Sequence, residues 1–423
     1  MDPGAKYRWP LYLLLLLCFF TRLSFIRQIP AEDFFYPDGT DYSRVASAIT
    51  QGEGFYPPEM KPVIAYRAPL YCFFLGGVYW LFGIENLTAV RLVHCFLAML
   101  TGWIIYLISE RIWGAAGGLL SLFIFSIHPF FVYHAATIAP EIVFTLFVVL
   151  TYYFLFRLFD EKTAFLAILA GIPLGLAALT KGTVLLLGPA AALTIFSFTK
   201  ANWGRRLGLV FLLGSMSLLV ISPLSYWIYK RWNQVSLMLD GSGMNFWIAN
   251  SPHSAHIFKA KTASQFRSAQ QHLWMEVLPA MSKRLEHLSP GDRDRIYYKM
   301  GWREFEKNPE RSLWLMAERF RIFWRPWVHP LAYGPKEVFL SGIASLPLFF
   351  IGFLYLFSRF RAKTPEACFT VLSIILITLV VGMVNNTEIR FRVPLIDTLL
   401  IVYAGGLIGS VFPGSEPYPK RPA

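Results

Sequence analysis

Charge is scarce in this 423-residue sequence: Asp, Glu, Lys and Arg make up 15% of it, hydrophobic residues 55%, and mean hydropathy is +0.47. That excludes an ordinary soluble enzyme, whose composition carries about 25% charge. Cysteine is scarce as well. Cys18, Cys72, Cys95 and Cys368 lie in apolar stretches without a CxxC pair or a Cys/His cluster, so neither a disulfide framework nor a zinc site organises the chain. They read as packing residues. Internal repeats and low-complexity tracts are absent, which excludes a solenoid, and only the Pro-rich stretch 413–423 reads as a disordered tail. Acids are outnumbered by bases, 26 to 39, leaving a net charge of +13. Such an excess fits nucleic acid, anionic lipid or cytoplasmic loops of a membrane protein, and topology must decide among them.

What the chain has in abundance is uncharged apolar sequence, in runs of about 18 to 22 residues that suffice to cross a hydrocarbon core of about 30 Å as helices. Ten candidate spans cover residues 9–26, 88–108, 115–133, 142–159, 164–179, 183–198, 207–228, 338–357, 368–384 and 393–412. The first follows Lys6 and Arg8 and lacks a small-residue cleavage site, so it reads as a retained helix. An eleventh run, 69–82 with Gly76 and Gly77 in its middle, is too short to span and reads as re-entrant or interfacial. Charge arbitrates independently. Without that crossing, the cytoplasmic ends and short loops collect thirteen Lys and Arg, from Lys6 to Arg421, while the short outer connections hold only Lys181, Arg390 and Arg392. With it, most positive charge would face outward, against the positive-inside rule.

The expected fold is therefore an all-α polytopic membrane protein of about ten transmembrane helices, both termini cytoplasmic, with two large outward-facing loops containing juxtamembrane helices. Residues 1–228 form an N-terminal transmembrane module with a first outer loop at 27–87. Residues 229–337 form a large outer loop, 338–412 the C-terminal spans, and 413–423 a cytoplasmic tail. Near the end of the large loop Asn308 and Pro309 make an N-cap and first-turn pair. Leu313, Met316, Phe320 and Phe323 then recur at helical spacing against Arg311, Arg319 and Arg321, the pattern of an amphipathic helix on the membrane surface.

Chemistry is expected on the outer face. In the string FFYPDGTDYSRVASAITQGEGF, Asp38 and Asp41 precede the helical pattern Tyr42, Val45, Ala46, Ile49. Capping accounts for one such acid, less well for two. Glu141 follows Pro140 at the head of a span, where capping is again the plain reading. The threading puts these three acids at the same membrane face as Arg67, Lys181, Arg390 and Arg392. Each base alone would read as a snorkelling cation. Together they make a set able to bind a lipid phosphate.

These residues also carry a family likeness: Asp38 with Tyr42 and Ala46 after it, the step Arg67 and Pro69 into an apolar stretch ending at Phe82 and Gly83, then RLVHCFLAMLTGWIIYLISERIWG, the pair Pro140 and Glu141, ALTKG, GSGMNFWIANSP and EIRFRVP. The layout resembles the GT-C membrane glycosyltransferases, in the branch of protein O-mannosyltransferases and 4-amino-4-deoxy-L-arabinose transferases. The resemblance implies a sugar donor on a polyprenyl monophosphate, an outward-facing active site, Asp38 as catalytic acid residue, Glu141 as second acid, and phosphate binding by Arg67 with Lys181, Arg390 and Arg392. The chain departs from many relatives in having Gly39 where they carry a glutamate after the aspartate, so Asp41 is a candidate for the missing carboxylate and the base is one of the two aspartates. Asp38 is favoured by its place four residues before Tyr42, since Asp41 and Tyr42 should point to different sides of the helix.

The implied reaction is transfer of a sugar to an acceptor hydroxyl with inversion. A glycosyl phosphodiester already has a good leaving group, so one base suffices. No cofactor is required; a divalent metal is compatible, although no ligand spacing argues for one. The partners are the polyprenyl-phosphate sugar donor, an acceptor lipid, protein or polysaccharide, and membrane lipids. Nucleic acid is not expected, because topology accounts for the basic excess. The location is the inner (plasma) membrane, the active site facing the periplasm or exterior. Two other readings remain open: a lipid-linked sugar flippase or transporter, which would show paired halves and charges near mid-bilayer, and a non-catalytic membrane scaffold using the large loop.

Overall fold

Apolar runs of this kind have one low-energy solution in lipid, the helix, because every backbone polar group must be satisfied within the segment. The structure, a computed structural model, describes residues 5–411 other than 31, 35, 36, 61, 63, 64, 201, 238, 240, 386 and 387, so the expected tail 413–423 lies outside the described residues. Helices α1 (Ala5–Ile26), α2 (Pro37–Thr50), α3 (Pro69–Phe82), α4 (Leu87–Ile127), α5 (Pro129–Ala136), α6 (Glu141–Glu161), α7 (Ala164–Ala178), α8 (Gly182–Phe198) and α9 (Trp203–Trp232) form the first module. The segment after α9 holds α10 (Ser242–Asn250), α11 (Pro252–Lys259), α12 (Ala263–Gln271), α13 (Leu278–Leu285), α14 (Pro290–Lys307) and α15 (Pro309–Trp324). The chain then runs through α16 (Pro335–Arg361), α17 (Pro365–Val384) and α18 (Ile389–Gly409). No strand occurs among the described residues.

Seven of these helices are long and apolar enough to cross a membrane: α1, α4, α6, α9, α16, α17 and α18. The ten expected runs map onto them with two adjustments. Helix α4, 41 residues long, changes direction at Gly114, whose φ of 75° and ψ of 176° only glycine adopts readily. Two expected runs, 88–108 and 115–133, thus lie on either side of one break, and the second is cut short at His128, where α4 gives way to α5. The runs 164–179 and 183–198 are carried by the shorter helices α7 and α8.

The helix ends sort into two groups. At one end of the bundle Glu141, opening α6, meets Lys181 just past α7 (2.7 Å), and the amide of Leu70 donates to the Leu179 carbonyl (3.1 Å). At the other, Arg111 pairs with Asp160 (2.8 Å), Arg205 donates to the Lys162 carbonyl (3.1 Å), and Arg359 lies over the Trp113 ring. Helices α6 and α7 therefore run antiparallel along a common length. Helix α3 does not join this alternation. Arg67 before it meets Asp41 of α2, and Glu85 beyond it meets Ser43 of α2 (3.3 Å), so it lies across α2. Its 14 residues extend only about 21 Å.

The apolar faces of α2 and α3 bury Tyr42, Val45, Ala46, Tyr71 and Leu75 in a satellite core beside the main one. In the large loop, Asn308 caps α15 as its sequence predicts, accepting from the Arg311 amide (2.9 Å). Helix α15 buries Leu315, Ile322, Phe323 and Arg319 against the protein, while Leu313 and Phe320 of the expected apolar face are exposed. Arg319, expected on a solvated face, donates to the Met383 carbonyl (2.8 Å) and to the Ala249 carbonyl, tying α15 to α10 and α17.

Candidate functional site

Helix α2 brings its acids to the bundle end by packing its first turn against the bend before α6. A Cβ added at Gly39 would stand 3.0 Å from the Ile138 carbonyl oxygen and 3.1 Å from that of Phe34. A larger side chain there would require these neighbours to give by a few tenths of an ångström, so the small residue and the close approach go together.

Two aspartates and two arginines then meet. Arg67 Nη2 lies 2.9 Å from Asp38 Oδ1 and 3.1 Å from Asp41 Oδ2, with Nε 3.2 Å from the same Asp41 oxygen. Arg390, near the start of α18, places Nη1 3.2 Å from Asp38 Oδ2 and its Nε 2.8 Å from Glu388. Asp41 is held further by Arg44 (3.2 Å). The two carboxylates differ in access: Asp38 keeps 30% side-chain exposure and Asp41 only 7%. Burial pushes the Asp38 carboxyl up, but the Arg67 and Arg390 guanidiniums outweigh that and hold it below its ordinary value. Asp41 and Tyr42, expected on different sides of α2, both meet Arg67, because the guanidinium lies across the helix, over the Tyr42 ring at 5.4 Å.

Beside this cluster stands a buried pair. Lys181 Nζ is 2.7 Å from Glu141 Oε1 and sits near the faces of Phe391 (5.1 Å) and Phe144 (5.7 Å). Glu141 makes no side-chain cap on α6; its carboxylate is spent on Lys181, and Oε2 is buried without a hydrogen-bond partner. Among the described residues no three His, Cys, Asp or Glu side chains gather as a metal-holding group.

Of the seven residues singled out in the sequence, six converge: Asp38, Asp41, Arg67 and Arg390 in one network, Glu141 and Lys181 next to it. Arg392 does not join them. It is fully buried, paired with Asp397 (2.9 Å), and donates to the carbonyls of Phe323 (2.5 Å) and Arg325 (2.9 Å). Two residues apart on a helix face nearly opposite ways, so Arg390 and Arg392 had to diverge. Three participants escaped the sequence reading: Arg44, Glu388, and Tyr56, whose hydroxyl accepts the Arg67 amide N–H (2.8 Å). Arg44 was legible, three residues after Asp41 on one helix. Tyr56 was not, since the contact joins two points of an irregular loop.

Residues 66–227 match the sequence model of the family dolichyl-phosphate-mannose-protein mannosyltransferase. An uncharacterized protein of Aquifex aeolicus is 29% identical over 187 residues, 44% of this chain. Two solved structures share the fold along nearly the whole chain. ArnT from Cupriavidus metallidurans, bound to undecaprenyl phosphate, has a TM-score of 0.56 at 14% identity over 96% of this chain. The archaeal oligosaccharyltransferase AglB from Archaeoglobus fulgidus, in complex with an inhibitory peptide and a dolichol-phosphate, has a TM-score of 0.59 at 14% identity over 97%. This chain spans 36% of the Aquifex protein, 61% of ArnT and 51% of AglB. The matched segment carries Arg67, Glu141 and Lys181 and is similar to the protein mannosyltransferase family, and the fold around it is that of ArnT and AglB.

Proposed function

We propose that this protein moves a sugar from a polyprenyl-monophosphate donor to an acceptor hydroxyl at the outer (periplasmic) face of the inner membrane, with inversion at the anomeric carbon. The observation that carries the reading is the convergence of two arginines from remote segments on one accessible aspartate. A lone snorkelling cation does not reach across a bundle to an acid, whereas two guanidiniums flanking a carboxylate are what a phosphate-leaving reaction needs.

In this reading Asp38 accepts the proton of the acceptor hydroxyl as its oxygen bonds to the anomeric carbon. The bond from that carbon to the phosphate oxygen breaks, and the lipid phosphate leaves with the electron pair, its charge offset by Arg67, Arg390 and Lys181. The arginines have a double office. While they hold Asp38 they keep it a weak base. A donor phosphate competes for the same guanidinium protons, and by drawing them off it raises the basicity of Asp38 when the donor is in place. Asp41, nearly closed to solvent and tied to Arg44, keeps Arg67 oriented. Glu141 holds Lys181 under the site.

Binding of undecaprenyl phosphate to purified wild type and Arg67→Ala tests the donor assignment. The variant is expected to fold and to bind at least about 10-fold more weakly, the loss of one charge-assisted contact. Equal affinity would remove Arg67 from the donor site.

A further inference from the structure

Arg67 is held from behind as well as in front. Its amide donates to the Tyr56 hydroxyl, and Tyr56 is fully buried, its ring against Tyr66 (4.8 Å) and Phe55 (5.0 Å). The backbone of Tyr56 stands at φ +50°, in the left-handed region that bulky L residues avoid. Such a conformation persists only where its surroundings over-determine it, and it gathers at functional sites.

Those surroundings can be named. Arg231, at the end of α9, donates to the main-chain carbonyl of Tyr56 and reaches that of Pro57 (3.5 Å). Its guanidinium packs on Trp227 (5.4 Å) and Trp232 (5.2 Å), and Trp232 packs in turn on Tyr66 (5.4 Å). The ring fills apolar space that a phenylalanine would fill equally. The hydroxyl is spent on the main chain of the single residue that bridges both aspartates.

We propose that Tyr56 is a positioning residue for donor binding: it fixes the main chain of Arg67 so that the guanidinium is presented to Asp38 and the donor phosphate, and Arg231 fixes Tyr56 in turn. The long span α9 thereby anchors a loop of the site through two hydrogen-bonded steps. This rests on the reading of Arg67 as a phosphate binder.

The test titrates undecaprenyl phosphate into purified full-length wild type, Tyr56→Phe, Arg231→Lys and Arg67→Ala, with thermal unfolding recorded in the same detergent. Tyr56→Phe is expected to bind about 2- to 10-fold more weakly, the range one hydrogen bond sets, while the folded protein keeps a cooperative transition. Arg231→Lys, which keeps the charge and loses the fork that spans two carbonyls, should weaken binding in the same direction. A purely structural Tyr56 would lower the unfolding temperature and leave affinity unchanged. Unchanged affinity in Tyr56→Phe beside a weakened Arg67→Ala overturns the positioning role alone; unchanged affinity in Arg67→Ala overturns the donor reading beneath it. Should Tyr56→Phe fail to fold, Arg231→Lys decides by the same criterion.

Discussion

Arg390 Nη1 lies 3.2 Å from Asp38 Oδ2 although 352 positions of chain separate the two residues. The contact joins α2 to α18, so the site exists only when the N-terminal module and the C-terminal helices are docked. Arg67 reaches the other oxygen of the same carboxylate from a third segment. Three parts of the chain thus meet on one acid that is still open to solvent, an arrangement that helix capping alone does not require.

Asp38 and Asp41 should therefore separate on mutation. Asp38→Asn keeps the size and most hydrogen bonding of the side chain but cannot take a proton. Its transfer rate should fall about 10²- to 10⁴-fold, the usual cost of removing a general base, while folding and undecaprenyl phosphate binding persist. Asp41→Asn should act more weakly and chiefly through donor affinity, because its partners are Arg67 and Arg44. Full transfer activity in both variants would return the two acids to helix capping.

The pH profile offers an independent check. Partial burial of Asp38 raises its pKa, but Arg67 and Arg390 overcome this and lower it below the ordinary carboxylate value of about 3.9. Ionised Asp38 therefore contributes stability that is fully present above its unfolded value and is lost as pH falls through the lower folded one. The acid limb of kcat/KM should lie in that same low range. In Arg390→Met burial remains and one opposing charge is gone, so the limb should move upward. A limb at the same pH in both proteins would mean that another group is the base.

Much of this was legible in the sequence, for identifiable reasons. The fold class follows from long uncharged runs, and the shortness of α3 follows from its count of fourteen residues. The closeness of Asp38 and Asp41 was legible because α2 carries them three residues apart on one helix. The reading faltered where backbone irregularity decides the outcome. Gly114 bends α4 through a conformation that hydropathy does not register, and residues 393–397 form a π-helical turn after the arginines. Arg319 was misplaced on a solvated face because periodicity cannot tell an exposed arginine from one whose donors meet carbonyls of other helices.

Topology can be read directly. In a background without the native cysteines, Lys200→Cys should resist an impermeant thiol reagent applied from outside, since Arg205, at the start of α9 close by, donates to the Lys162 carbonyl at that bundle end. Lys261→Cys, in the large outer segment, should label readily. The opposite pattern would place the Asp38 site on the cytoplasmic side and overturn the outward-facing reaction.

Arg390 and Arg392 give the sharpest contrast, because two like residues on one helical turn have opposite surroundings. Arg392 sits at zero exposure with one edge of its guanidinium, Nε and Nη2, on Asp397 and its Nη1 on the carbonyls of Phe323 and Arg325. None of these groups belongs to the site. Removing one partner of a buried pair typically costs about 3–5 kcal/mol, since the other charge is left uncompensated. Arg392→Met should therefore lower the unfolding temperature markedly while the folded fraction binds undecaprenyl phosphate as wild type does. Joining it with Asp397→Leu removes the stranded carboxylate and should recover part of the loss. Arg390→Met should do the reverse, leaving unfolding nearly unchanged and weakening the donor. Thermal unfolding and donor titration on the same three preparations separate the two roles, and equal loss of affinity in Arg392→Met would bring that residue back into the phosphate site.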